Sequence, residues 1–185
     1  MSLRIALGLG LLAAPLLAAT PALAQAQSDE EAAKQIINDP NPATFNVYGI
    51  DPKPKSVKDA TVQGGRALPL AVTGSGTPYA VGVGSPLTRE VKKGDHLTLM
   101  FFARLQKAEP GVTSARIVGQ IQLSSAPYTS LFAQTFDVPT EWKLFQVSGV
   151  ADKDYPKGTL NAAFHVNTGR HTMALGLVAV LDKGQ

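Results

Sequence analysis

Few side chains in this chain are spaced for catalysis. Its histidines are His96, His165 and His171, without the His-x-His or His-Glu-x-x-His spacing of a catalytic metal site. There is no cysteine, which removes thiol nucleophiles, cysteine-ligated zinc and disulfides. No Gly-x-Ser-x-Gly elbow presents a serine. Glycoside hydrolysis needs two carboxyl groups across a cleft, yet Glu90, Asp95, Glu109, Asp137 and Glu141 all fall at turns or strand ends, the ordinary places for solvated charge. "GSGTPYAVGVGS" (74–85) is followed by neither a helix nor a lysine, so it is no phosphate loop. An acid–base couple of His165 with Arg104 stays open if their strands are neighbours.

The inventory is better suited to holding a neutral polyol. Side chains alternate between the two faces of a strand. In "RIVGQIQLS" Ile117, Gly119, Ile121 and Leu123 form the core face, which turns Gln120 and Gln122 away from it. In "TLNAAFHVN" Leu160, Ala162, Phe164 and Val166 point inward, and Asn161 and His165 outward. In "LTLMFFARL" the set from Leu97 to Leu105 is purely apolar, and the opposite set holds Phe102 and Arg104. A merely wet sheet face usually carries Lys, Glu and Thr. This one gathers Phe102, Arg104, Gln120, Gln122, Asn161 and His165. Amides, an imidazole and a guanidinium suit hydroxyls, and a flat aromatic suits the C–H face of a sugar ring.

The elements that must position these groups are strands. "SVKDATVQGGRALPLAV" reads as two strands around Gly64-Gly65, with Pro69 at an edge or bulge. Further strand patterns follow at intervals of roughly ten to twelve residues, separated by turn residues. About nine strands predict an all-β protein, an antiparallel β-sandwich or jelly roll. Upstream, "QSDEEAAKQIINDP" predicts a short helix, with Ser28 and Glu31 as a capping box and Pro40 and Pro42 as its stop. The proline-rich stretch to Lys55 reads as an extended lead-in.

Residues 1–26 read as a signal peptide: Arg4, an apolar run from Ile5 to Ala19, then small-x-small cleavage sites at 22–24 and 24–26. The run is short of the ~20 residues that span a bilayer, and no later stretch is long and apolar enough, so no membrane insertion is expected after cleavage. The expected organisation is a signal peptide (1–26), a helix and Pro-rich lead-in (27–55) and a β domain (56–185), placed in the periplasm or secreted. Cleavage removes one charge, Arg4, leaving 16 basic against 14 acidic residues. With no basic cluster interleaved with aromatics, nucleic acid is not an expected partner.

The single tryptophan lies in "VPTEWKLFQVSG" (138–149). Phe145 and Val147 take the core side of that strand. Trp142 then stands at its start, after the Pro139-Thr140 turn, and is expected to cap the end of the sandwich with its N–H on a loop carbonyl. "GDHLTLMFFARLQ" resembles the strand "Y-x-L-x-F-W-A-R-A" of family 4/9-type carbohydrate-binding modules. "FDVPTEWKLFQVSGVA" resembles their "T-x-E-W-K" segment, and "GTLNAAFHVNTGRHTMALGLVAVLD" their closing strands. The resemblance covers about residues 56–182. It implies a galactose-binding-like jelly roll that binds a glycan without catalysis, on the concave sheet or at loop tips, with Trp142 in the scaffold. Phe102 would take the family's aromatic position, and Tyr79 and Tyr128 would be the loop aromatics, Tyr79 among the ligand-binding residues. Many such folds hold a structural calcium; Asp182 matches its C-terminal ligand, with Asp51 alone as an N-terminal carboxylate. The competing readings are an envelope adaptor using the same fold for a protein partner, and a glycan-active hydrolase or lyase.

Overall fold

The computed structural model describes residues 33–185. The cleavage sites and the Ser28–Glu31 capping box lie outside the described residues. Residues 33–35 are helical, and the chain is extended from Ile36 to a 3-10 turn at Pro42–Thr44.

Among the described residues the chain forms ten strands, β1 (Asn46–Tyr48), β2 (Val57–Lys58), β3 (Arg66–Val72), β4 (Gly82–Pro86), β5 (His96–Ala108), β6 (Ser114–Leu123), β7 (Ser130–Pro139), β8 (Lys143–Val150), β9 (Leu160–His165) and β10 (His171–Asp182). They make two five-stranded sheets, in the orders β1-β4-β9-β6-β7 and β2-β3-β10-β5-β8. Every pairing is antiparallel. This is the expected β-sandwich of jelly-roll type. Pro69 sits where its missing N–H costs no ladder bond on one side, because β2 pairs only with Arg66 and Ala67 of β3.

Alternation sets the core. β5 buries Leu97, Leu99, Phe101, Ala103 and Leu105, each at most 3% exposed. β6 adds Ile117 and Ile121, and β9 adds Leu160, Ala162 and Phe164. At the centre Phe101 meets Phe164, Phe136 and Phe145 at ring-centroid distances of 4.8, 5.1 and 5.3 Å. The first two contacts are edge-on, the geometry that aromatic quadrupoles favour.

The segment upstream of Ser56 is built into the sandwich. Ile37 is 1% exposed, and its N–H donates to the Val180 carbonyl. Buried Asn38 donates to Ser85 Oγ and the Val178 carbonyl and accepts from the Val180 N–H. A buried amide satisfied on both ends fixes its neighbours. It thereby places β1 beside β4 as the edge of the first sheet.

Candidate functional site

The outer face of the first sheet carries a groove of about 750 Å³. Register explains its floor. On β6 and β9, Gln122 stands opposite Asn161, Gln120 opposite Ala163 and Val118 opposite His165. On β4, Gly82 and Gly84 stand opposite His165 and Ala163. In "AVGVGS" the valines point into the core and the glycines outward, so β4 raises no side chain from the floor until Pro86 at its end. The space is used: a Cβ on Gly84 would lie 2.7 Å from Asn161 Nδ2, and one on Gly82 would strike the Tyr48 ring.

Three tyrosines stand around this floor. Tyr48 ends β1, Tyr79 is carried on the 3-10 turn Pro78–Ala80, and Tyr128 lies on the loop between β6 and β7. They are 45%, 61% and 57% exposed, whereas Tyr155 is buried in the core. Tyr128 holds φ +56°, a left-handed conformation unusual for a bulky residue. Asn167 is 2% exposed. It supports the loop behind Tyr79 by donating to the Ser75 and Thr77 carbonyls and accepting from the Gly74 N–H.

The floor is a hydrogen-bonded row. Gln120 Nε2 donates to Gln122 Oε1 and lies 3.3 Å from His165 Nε2. The Tyr79 ring meets His165 edge-on at 6.1 Å. Burial pushes His165 below the usual histidine value. Burial, and then the nearby Tyr128, push Tyr48 up. Among the described residues lining the groove, none carries a carboxylate, an ammonium or a guanidinium. The surface offers neutral donors, neutral acceptors and aromatic faces, and lacks the carboxyl pair that glycoside hydrolysis needs.

Of the seven side chains that sequence reasoning grouped, the structure gathers Tyr79, Gln120, Gln122, Asn161 and His165 in this groove. Phe102 and Arg104 are a correction. They point outward as alternation requires, but from β5, which lies in the second sheet. Their face is therefore the opposite outer face of the sandwich, and His165 and Arg104 form no acid–base couple. Arg104 is occupied there: Nη2 donates to Asp59 Oδ2 at 3.0 Å, and the guanidinium lies 4.9 Å from the centre of the Trp142 ring. Asp59 also accepts from the Thr61 hydroxyl and N–H, and Thr61 Oγ1 accepts from Trp142 Nε1 at 3.2 Å. The expected partner of the indole was a loop carbonyl; it is a loop hydroxyl. Half-buried Trp142 thus helps hold the β2–β3 loop and takes no part in the groove.

Asn46, Tyr48, Ser124 and Tyr128 line the groove but were absent from the expected ligand set. The signal for two of them was present: "TFNVY" alternates Phe45 and Val47 with Asn46 and Tyr48 and reads as a strand.

The calcium implied for such folds finds a poor donor set. Asp182 accepts from the Gly184 N–H. Burial and a neighbouring carboxylate, Asp95, raise its pKa, and Asp95 itself accepts from the Lys92 N–H. Among the described residues no group of three His, Asp or Glu could hold a metal ion.

No protein-family model matches the chain, and no curated protein matches it. Solved structures do. A CBM4 module superposes with a TM-score of 0.58 at 20% identity, over 77% of this chain and 96% of that one. The N-terminal cellulose-binding domain of β-1,4-glucanase C from Cellulomonas fimi gives 0.56 at 20% identity, over 80% and 93%. The CBM22 xylan-binding domain of Xyn10C from Paenibacillus barcinonensis gives 0.54 at 11% identity, over 82% and 93%. The chain has the β-jelly-roll fold found in carbohydrate-binding modules.

Proposed function

We propose that this protein binds a neutral oligo- or polysaccharide, without cleaving it, along the groove of the first sheet. The observation that carries the reading is an uncharged floor of Gln120, Gln122, Asn161 and His165 among three exposed tyrosines. Amides and imidazole pair with hydroxyls in both directions, and exposed tyrosine rings offer apolar platforms with a polar tip. The cellulose- and xylan-binding domains that share the fold support the class of ligand. A uronate-rich chain is disfavoured, because no cation in the groove would pair with its carboxylates. The apolar N-terminal segment with its small-residue sites supports a periplasmic or secreted location.

The test is calorimetric titration with cellohexaose, xylohexaose and mannohexaose, with hexagalacturonate as the charged control. Binding of a neutral hexaose that Gln120→Ala weakens supports the reading. Silence toward all neutral chains, with a stable protein partner captured on the same face, would favour the adaptor reading.

A further inference from the structure

We propose that His165 sets the hydrogen-bond direction of the groove floor, so that the groove holds its glycan while His165 is neutral and releases it when His165 takes a proton. This rests on the glycan reading of the groove.

The geometry fixes the direction. A carboxamide nitrogen has two hydrogens to give and accepts nothing. Gln120 Nε2 faces both Gln122 Oε1 and His165 Nε2, so His165 Nε2 is the acceptor and the ring proton sits on Nδ1. The ends left for a ligand are Gln120 Oε1, an acceptor, and Gln122 Nε2, a donor. A proton added to His165 Nε2 would set N–H against N–H. Gln120 must then turn its Oε1 to the ring, which brings that oxygen against Gln122 Oε1, and Gln122 must turn as well. Both free ends invert, and a cation enters a groove that has no countercharge.

The surroundings offer the imidazolium nothing. Facing His165 are Gly82 from β4, Val118 and Gln120 from β6 and Tyr79 from the 3-10 turn, with Tyr48 paired to Gly82 and Tyr128 near Tyr48. None is a carboxylate. Burial already holds the imidazole below the usual histidine value of 6.5, and a sugar lying over it would remove more water. Binding therefore favours the neutral ring. By linkage, affinity is full above the His165 pKa and falls as pH drops through it, by up to about tenfold per pH unit.

The experiment follows the His165 ring nitrogens and the Gln120 and Gln122 side-chain amides by ¹⁵N NMR from pH 8 to 4, without ligand. The expected result is the Nδ1–H tautomer at pH 8, and both amides shifting with the midpoint of His165. A dominant Nε2–H tautomer, or amides indifferent to that titration, overturns the proposal. In parallel, xylohexaose and cellohexaose are titrated at pH 7.5 and 4.5. Wild type should weaken about tenfold or more at the lower pH, and His165→Gln, its fold checked by melting, should lose that dependence. Binding that is equal at both pH values overturns the gating. If neither hexaose binds at pH 7.5, the glycan reading fails and the gating with it, while the ligand-free titration still decides the amide row.

Discussion

The carboxamide of Asn161 fills the space that a side chain at residue 84 would need, since a Cβ on Gly84 would lie 2.7 Å from Asn161 Nδ2. Two neighbouring strands thus share one volume, bare backbone on β4 and an amide on β9. Gly84→Ala should leave the melting temperature nearly unchanged, because only the mobile end of Asn161 must move. It should weaken glycan binding by about tenfold, or ~1.4 kcal/mol, by displacing that amide. Gly82→Ala should differ: its Cβ would lie 2.7 Å from the Phe164 carbonyl oxygen, and backbone does not yield cheaply. A loss of roughly 1–3 kcal/mol is expected, read by denaturant unfolding of both variants.

The two outer faces of the sandwich should separate cleanly in binding. Gln120→Ala and Tyr79→Ala should each cost ~1 kcal/mol or more of glycan affinity, as a hydroxyl partner or a stacking face is lost. Phe102→Ala and Arg104→Ala should leave affinity unchanged. Calorimetry on the four variants checks this; a loss confined to the second pair would put the ligand on the wrong sheet for this account.

Trp142→Ala should destabilise the protein by about 1–2 kcal/mol and leave binding intact. The indole loses its bond to Thr61 and its stack with Arg104, and it is only half-buried. Chemical unfolding and a binding titration on the same variant separate the two effects.

These contrasts show how far the sequence carries. Alternation placed the core sides of β5, β6, β8 and β9 correctly, because the pleat forces a period of two. It also turned Phe102, Arg104, Gln120 and His165 outward, as they are. It could not say which outer face. A sandwich has two, and membership of a sheet depends on long-range pairing: β5 with β10 and β8, β6 with β9 and β7. Nothing within a single strand encodes that choice. Tyr48 was missed for another reason. The prolines around it mark a lead-in, yet buried Asn38 fastens that segment to β10 and β4 and makes it an edge strand.

Stability should fall on mild acidification. Burial depresses His165 and His171 in the folded state, so the unfolded chain binds protons first. Unfolding free energy therefore drops as pH falls from 6.5 toward the lower folded values, then levels from these groups. Asp182 has the opposite sign: its raised pKa favours the protonated form, a contribution lost as pH rises from 3.8 through the folded value. Melting between pH 7.5 and 5 should show a decline that is smaller in His171→Gln, whose parent Nε2 is buried without a partner.

The central claim is that the ligand lies on the first sheet. Its most direct test is to add a neutral hexaose to ¹⁵N-labelled protein at pH 7.5 and map the amide shifts. Perturbations are expected at Tyr48, Gln120, Gln122, Asn161 and His165, with Phe102, Arg104 and Trp142 still. Shifts centred on Phe102 and Trp142, or none with cello-, xylo- or manno-oligosaccharides, would contradict it.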